Sequence, residues 1–209
     1  MAEAAPRLYL ITPKLAEAAA FDAAFEAALA AGDIACVLLR MQMQAGSDSK
    51  KLVARFAALA RKHDTALLIE DPQLAARCDA DGVHVGEGGM GLEAAVAAMK
   101  PDRIVGVGGL SSRHDAMLAG ESGADYVMFG DLDAEEDSAA IIERIAWWAE
   151  IFTLPCVAYA QTLADVAPLA AAGADFIALD DAVWEHPHGA AAAVQAAMLA
   201  LASAHEPAR

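Results

Sequence analysis

The chain has 209 residues, 57% hydrophobic and 21% charged, with a formal net charge of −16 at pH 7. That supplies one large core in a single domain. Long-range repulsion by so acidic a chain disfavours nucleic acid and anionic membrane surfaces as partners.

Short apolar runs, partly β-branched, alternate along the chain with helical stretches. A first strand over Leu8–Ile11 is followed by a helix near Ala16–Ala31, and a second strand over Ile34–Leu39 by a helix near Asp48–His63. Ala66–Ile69 leads into Pro72–Cys78, Gly82–Val85 into Leu92–Met99, and Ile104–Val107 into Ser112–Glu121. Tyr126–Phe129 precedes Asp137–Ile151, Cys156–Tyr159 precedes Leu163–Ala172, and Phe176–Leu179 precedes Gly189–Ser203. Runs this short and this evenly apolar predict strands covered on both faces. Ser111-Ser112 and Asp137 are expected N-caps, and Pro72 suits a first helical turn. Gly32, Gly123 and Gly173 are expected to close helices in the left-handed conformation. Trp147 and Trp148 diverge by about 100° on their helix, so one ring faces the barrel and the other the rim or a second subunit.

One phrase recurs: Asp79-Ala80-Asp81 before Gly82-Val83-His84-Val85, Gly123-Ala124-Asp125 before Tyr126-Val127-Met128-Phe129, and Gly173-Ala174-Asp175 before Phe176-Ile177-Ala178-Leu179. A helix followed by an aspartate-led buried strand, repeated at the period of two βα units, predicts an α/β fold. The specific expectation is a single (β/α)8 TIM barrel over residues 1–209, ordered from 6 to 203 with short flexible ends. Such barrels place their chemistry just after the strands. No apolar stretch reaches the ~18 residues that span a bilayer. The opening residues lack the basic flank and apolar run of a signal peptide. Cys36, Cys78 and Cys156 are scattered, with neither a disulfide frame nor zinc spacing. A cytoplasmic location follows as the expectation.

The strand ends carry an uneven charge inventory. Glu70, Asp71, Glu87, Asp131, Asp133, Asp180 and Asp181 all fall there, against Arg40 and Arg113. A phosphate-binding barrel usually offers the reverse: glycine amides, a helix N-terminus and a cation near the last strands.

Several segments resemble the thiamine-phosphate synthase and thiazole tautomerase family. Leu8-Tyr9-Leu10-Ile11-Thr12-Pro13 is similar to its first strand, and Asp81-Gly82-Val83-His84-Val85-Gly86 to its Asp-Gly-Val-His-Leu-Gly phrase. Ile69-Glu70-Asp71-Pro72 stands where the synthases carry Ile-Asn-Asp-Arg. Ile104-Val105-Gly106-Val107 and the two later aspartate phrases follow in the family's order and spacing. The resemblance covers nearly the whole chain.

It implies an enzyme of thiamine biosynthesis or salvage that joins a pyrimidine pyrophosphate to a thiazole phosphate. Magnesium would withdraw charge from the leaving pyrophosphate while the thiazole nitrogen captures a pyrimidine cation. Mapped residue by residue, many of the family's positions are substituted. Of its Gln-x-Arg-x-Lys phrase only Arg40 is retained, between Leu38 and Gln42. Glu70-Asp71 keeps one magnesium-type carboxylate, and the second falls on Gly89, with Glu87 beside it as a substitute metal ligand. The serine after strand five is Gly108, the strand-six phosphate phrase becomes Asp131-Leu132-Asp133-Ala134, and the strand-seven glycines become Ala160-Gln161. Asp180-Asp181 replaces the last phosphate position.

The resemblance therefore assigns substrate contacts to Arg40, Gln42, Glu70, Gly108, Gln161, Asp180 and Asp181, with Mg²⁺ at Asp71 and Glu87. Arg40 and Asp131 are the catalytic candidates. Asp131 stands where tautomerase-type relatives carry a histidine. It could shuttle a proton, with Asp133 or Glu87 as neighbours favouring its protonated form, or be a solvated loop residue. His84 either packs and bonds inside the barrel or serves chemistry. Arg40 either contacts ligand or pairs with Glu70 or Asp71. Asp180-Asp181 either meets ligand or caps the segment leading to Trp184. Three readings stay open: a synthase with weakened or lost activity, a regulatory barrel binding a cationic small molecule or a metal, and a proton-transfer enzyme acting on a thiazole. A small molecule is the expected partner in each, with a homo-oligomer as a further option.

Overall fold

Four to six apolar residues flanked by helices leave no solvent face, and every such run becomes a strand of one closed sheet. The computed structural model describes residues 5–17, 21–42, 48–86, 91–110, 112–134 and 136–205. The strands are β1 (Arg7–Ile11), β2 (Ile34–Leu39), β3 (Ala66–Ile69), β4 (Gly82–Val85), β5 (Ile104–Val107), β6 (Tyr126–Phe129), β7 (Cys156–Tyr159) and β8 (Phe176–Leu179). All pair in parallel with their chain neighbours, and β1 closes on β8 from Arg7↔Phe176 to Leu10↔Leu179. β1 begins one residue before the expected Leu8, because the Arg7 N–H donates to the Asp175 carbonyl at 3.1 Å.

Alternation along each strand divides the core in two. Leu8, Leu10, Val37, Leu39, Val127 and Phe129 face the helices in one continuous apolar layer. Tyr9, Ile11, Leu38, Tyr126, Met128 and Tyr159 fill the barrel axis. Three tyrosines make that inner core partly polar, and the mouth inherits this property.

The recurring aspartate has a specific job. The Asp81 carboxylate accepts the Leu67 N–H at 2.8 Å, Asp125 accepts that of Val105 at 2.8 Å, and Asp175 that of Cys156 at 2.8 Å. In each case the aspartate's own N–H donates to the carbonyl of the same residue, at 2.8, 2.7 and 3.1 Å. Each aspartate thus grips the preceding strand at two points as its own strand begins. Asp33 stands at the matching place before β2, but its carboxylate takes the Arg7 guanidinium instead, at 2.6 and 2.9 Å.

The helices are α1 (Asp22–Ala30), α2 (Ser49–Arg61), α3 (Pro72–Ala75), α4 (Leu92–Met99), α5 (Arg113–Glu121), α6 (Ser138–Ile151), α7 (Val166–Ala171), α8 (Asp181–Trp184) and α9 (Ala190–His205). Ser112 and Asp137 cap α5 and α6 by accepting the Asp115 and Ala139 N–H groups, and Pro72 opens α3. Ser111 and residues 18–20 of the expected first helix lie outside the described residues. The stretch before α7 starts as a 3₁₀ turn at Leu163–Asp165, closed by a Thr162–Asp165 capping box. The short α8 is an element that alternation of apolar and polar residues did not reveal.

Gly123 and Gly173 do close their helices with φ of +90° and +102°. Gly32 does not share that conformation among the described residues. A Cβ there would lie 2.9 Å from both Met198 and Val194, so close approach of α9 is what requires a glycine. Trp148 is buried, while Trp147 carries the Arg113 guanidinium 5.0 Å from its ring centre, so the two rings do diverge, one into the core and one outward. No helix among the described residues is long and apolar enough to cross a membrane.

Asp175→Ala leaves the buried Cys156 N–H without its acceptor and should cost about 1–2 kcal/mol. Urea unfolding would read this as a lower midpoint at unchanged slope. Asp175→Asn, which keeps an acceptor oxygen, should recover most of the loss, and an alanine variant as stable as the parent would rule the grip out.

Candidate functional site at the mouth of the barrel

At the carboxyl ends of the strands lies a cavity of about 500 Å³. Its charged lining is Lys14 after β1, Arg40 after β2, Glu70 after β3, and Asp131 and Asp133 after β6. Two cations therefore face three carboxylates among the described lining residues.

Arg40 organises this group. Its N–H donates to the Thr12 hydroxyl at 3.0 Å and its carbonyl accepts the Leu15 N–H at 3.0 Å, fixing where the side chain starts. The residue is only 8% exposed, so its guanidinium lies largely out of water. Nε donates to Glu70 Oε1 at 3.2 Å, and Nη2 donates to both oxygens of Asp133, at 3.1 and 2.9 Å. Lys14 Nζ also reaches Asp133, at 3.3 Å. Partial burial pushes the Asp133 carboxyl up, but hydrogen bonds and charge from Arg40 and Lys14 outweigh it, holding the group below the usual carboxylate range.

Arg40 thus has the Glu70 bridge allowed for in the sequence reading. Asp71 is not its partner, because that carboxylate turns the other way to cap α3, accepting Gln73 N–H at 2.8 Å and Leu74 N–H at 3.1 Å.

The cavity floor is His84, 1% exposed, on β4. Its Nδ1 lies 2.9 Å from the Tyr126 hydroxyl, which lies 3.0 Å from the Tyr9 hydroxyl. This chain runs down the barrel axis. Two glycines make room for it: a Cβ on Gly106 would stand 1.9 Å from the Tyr126 ring, and one on Gly108 2.8 Å from His84 Nε2. Burial, then the charge of Arg40, pushes the His84 imidazole down to about 4, so it is neutral at pH 7. His84 is thus bonded inside the barrel, as the first of its two readings expects, and it borders the cavity.

Of the expected site residues, Arg40, Glu70, Gly108 and Asp131 meet at this cavity. Asp131 Oδ1 accepts the Asp133 N–H at 2.9 Å, which shapes the turn that presents Asp133. Gln42 is exposed, and its N–H donates to the Leu15 carbonyl at 2.8 Å. Gln161 turns to the Glu136 carbonyl at 2.6 Å, and neither glutamine is part of the described lining. Asp180 accepts the Tyr159 hydroxyl at 2.6 Å, and only its backbone carbonyl caps α8, receiving the Val183 and Trp184 N–H groups. Partial burial, then Asp180 and Glu185, push the neighbouring Asp181 carboxyl up, against an opposing effect of Arg40. Glu87 and Gly89 lie outside the described residues.

Lys14 was missed as a site residue. Its place three residues beyond the last residue of β1 was the available signal.

The magnesium implied by the resemblance finds a poor donor set. Asp71 spends Oδ1 on a helix cap, and Glu70 is already paired with a guanidinium. Among the described residues no three His, Cys, Asp or Glu side chains cluster so as to hold a metal ion. The described donors alone make up no magnesium site, and the expected Glu87 lies outside them.

Comparison with known proteins places the mouth in a family context. Residues 8–183 match the family model described as thiamine monophosphate synthase. The chain is 44% identical to the thiamine-phosphate synthase of Rhodospirillum centenum, with 90% of this chain and 94% of that protein covered. It is 41% identical to that of Hyphomonas neptunium, covering 91% of each. A solved structure, the thiamine phosphate pyrophosphorylase of Pyrococcus furiosus, superposes with a TM-score of 0.81 at 22% identity, over 96% of this chain and 97% of that one. That last likeness carries the fold, and the matches in sequence carry the relationship: the chain belongs to the thiamine monophosphate synthase family.

Proposed function

We propose that this barrel acts in thiamine biosynthesis or salvage on a small heteroaromatic precursor, and that its pyrophosphate-releasing synthase step is weak or lost. The synthase step forms a bond from the thiazole nitrogen to the pyrimidine methylene carbon. The carbon–oxygen bond to pyrophosphate breaks, and the electron pair leaves with pyrophosphate. Stabilising that departing charge needs cations whose field is unspent.

The observation that carries the reading is the state of Arg40. Its charge, and that of Lys14, is already met by Glu70 and Asp133. With Asp131 added, the described lining is net negative. A like charge about 4 Å from a phosphoryl oxygen costs about 4 kcal/mol at an effective dielectric near 20, and less where solvent screens it. At ~1.4 kcal/mol per decade that approaches a thousandfold in rate.

In the same reading Arg40 and Glu70 bracket the ligand from one side, and neutral His84 presents a hydrogen-bonding imidazole edge from below. Asp131, which borders the cavity, is the group placed to carry a proton if the reaction is an isomerisation of a thiazole. An acidic mouth over a neutral floor suits an uncharged or cationic ring better than a diphosphate. The family's Mg²⁺ enters no step here, since the described donors alone make up no site for it.

Purified protein incubated with the pyrimidine pyrophosphate, the thiazole phosphate and Mg²⁺ should form thiamine phosphate more slowly than the order of 1 s⁻¹ of an ordinary enzyme, by a factor of up to ~10³. Turnover near that ordinary rate overturns the reading.

His84 gives a separate check on the floor. In the unfolded chain it titrates near 6.5 and in the fold at about 4. Between those values the unfolded chain takes up a proton that folded His84 refuses. Its contribution to stability therefore falls as pH drops through that window, then levels off below about pH 4. NMR titration should find the ring neutral down to about that pH, whereas a midpoint near 6.5 would mean a wet, solvent-like floor.

A further inference from the structure

We propose that Asp133 is a built-in anion, occupying from within the chain the cation pair that an anionic ligand would need. This rests on the weakened-diphosphate reading and names the residue that sets the ligand class of the mouth.

Three features distinguish Asp133 from a casual surface ion pair. First, it is shared. One carboxylate from the β6–α6 segment takes Nη2 of Arg40 with both oxygens, at 2.9 and 3.1 Å, and Lys14 Nζ at 3.3 Å. Those partners lie 93 and 119 residues away in sequence, at the ends of β2 and β1, so the contact crosses the mouth.

Second, it is presented by a built turn. Gly130 has φ +103°, and a Cβ there would stand 2.7 Å from that of Tyr159. The Asp133 N–H is then held by Asp131 Oδ1 at 2.9 Å. Third, the two partners differ in freedom. The Arg40 side chain is 10% exposed and tethered on Nε by Glu70, whereas that of Asp133 is 65% exposed. The cation is fixed and the carboxylate is the displaceable member. Exposed pairs are individually weak, so an anion could evict the carboxylate. It would then lie beside a displaced negative charge, and a doubly charged phosphate or pyrophosphate meets that repulsion most strongly. Asp133 therefore selects against anions and in favour of uncharged or cationic ligands.

The probe is inorganic pyrophosphate without metal, titrated calorimetrically at low ionic strength. Asp133→Asn keeps the side-chain shape and the backbone N–H that Asp131 holds, and should bind pyrophosphate at least tenfold more tightly than the parent. Asp131→Asn removes the same unit of charge from the same cavity without touching Arg40 or Lys14, and should gain less than threefold. Adding Arg40→Gln to Asp133→Asn should abolish the gain.

Equal gains in the two asparagine variants would make the effect general electrostatics and overturn the proposal. So would parent affinity already matching that of Asp133→Asn. Binding and turnover are read separately. An inactive parent with no gain in Asp133→Asn defeats the built-in anion while leaving the weakened-synthase reading intact. A tight gain in Asp133→Asn alongside ordinary parent turnover does the reverse.

Discussion

Everything at the mouth depends on register, and register here depends on three carboxylates. β4, β6 and β8 are each four residues long. A slip of one residue would exchange the barrel-axis side chains for those facing the helices. Asp81, Asp125 and Asp175 prevent this by fixing the preceding strand through both its N–H and its carbonyl. The grip sits at the amino ends of the strands, where it adds no charge to the cavity. Because it holds, Tyr126 and His84 point to the axis, and residues after β1 to β6 converge on one cavity.

The axis chain then constrains what the mouth can contain. Tyr126 needs the space at Gly106, and His84 needs that at Gly108. Gly108 stands where the synthases carry a serine in the resemblance, and counting side chains alone makes this a lost contact. Packing gives it another meaning. A Cβ at that position would press on His84 Nε2 at 2.8 Å, so in this chain the glycine is what lets the neutral imidazole sit so close. Neutrality follows from the same burial that makes the packing tight.

The strands were legible because their signal is local. A doubly covered strand is apolar at nearly every position, and seven of the eight runs have the observed bounds, with only β1 extended to Arg7. Helix ends were readable where a side chain caps them, as at Ser112 and Asp137. The left-handed assignment of Gly32 failed because a contact with α9, distant in sequence, requires the glycine. The site was half legible for the same reason. Position after a strand correctly placed Arg40, Glu70, Gly108 and Asp131 at the mouth. It could not show that Asp71 turns back to cap α3, that Gln161 seeks the Glu136 carbonyl, or that Asp180 serves Tyr159. Each of those side chains is committed by a partner whose nearness only the folded chain creates. Lys14 was overlooked because its significance comes from a carboxylate 119 residues further on.

Net charge alone does not explain the mouth. A charge of −16 spread over the surface is screened beyond about 8 Å at physiological ionic strength. Any site that binds an anion needs only a local excess of donors. The decisive quantity is thus the balance within a few ångströms of Arg40, where one carboxylate more or less changes the sign. Glu70 alone would leave the Arg40–Lys14 pair with a surplus positive charge, Glu70 with Asp133 makes the four groups neutral, and Asp131 makes the described lining negative. Of these carboxylates Asp133 is the one that meets both cations directly, so it is where the charge count turns into contact with Arg40 and Lys14.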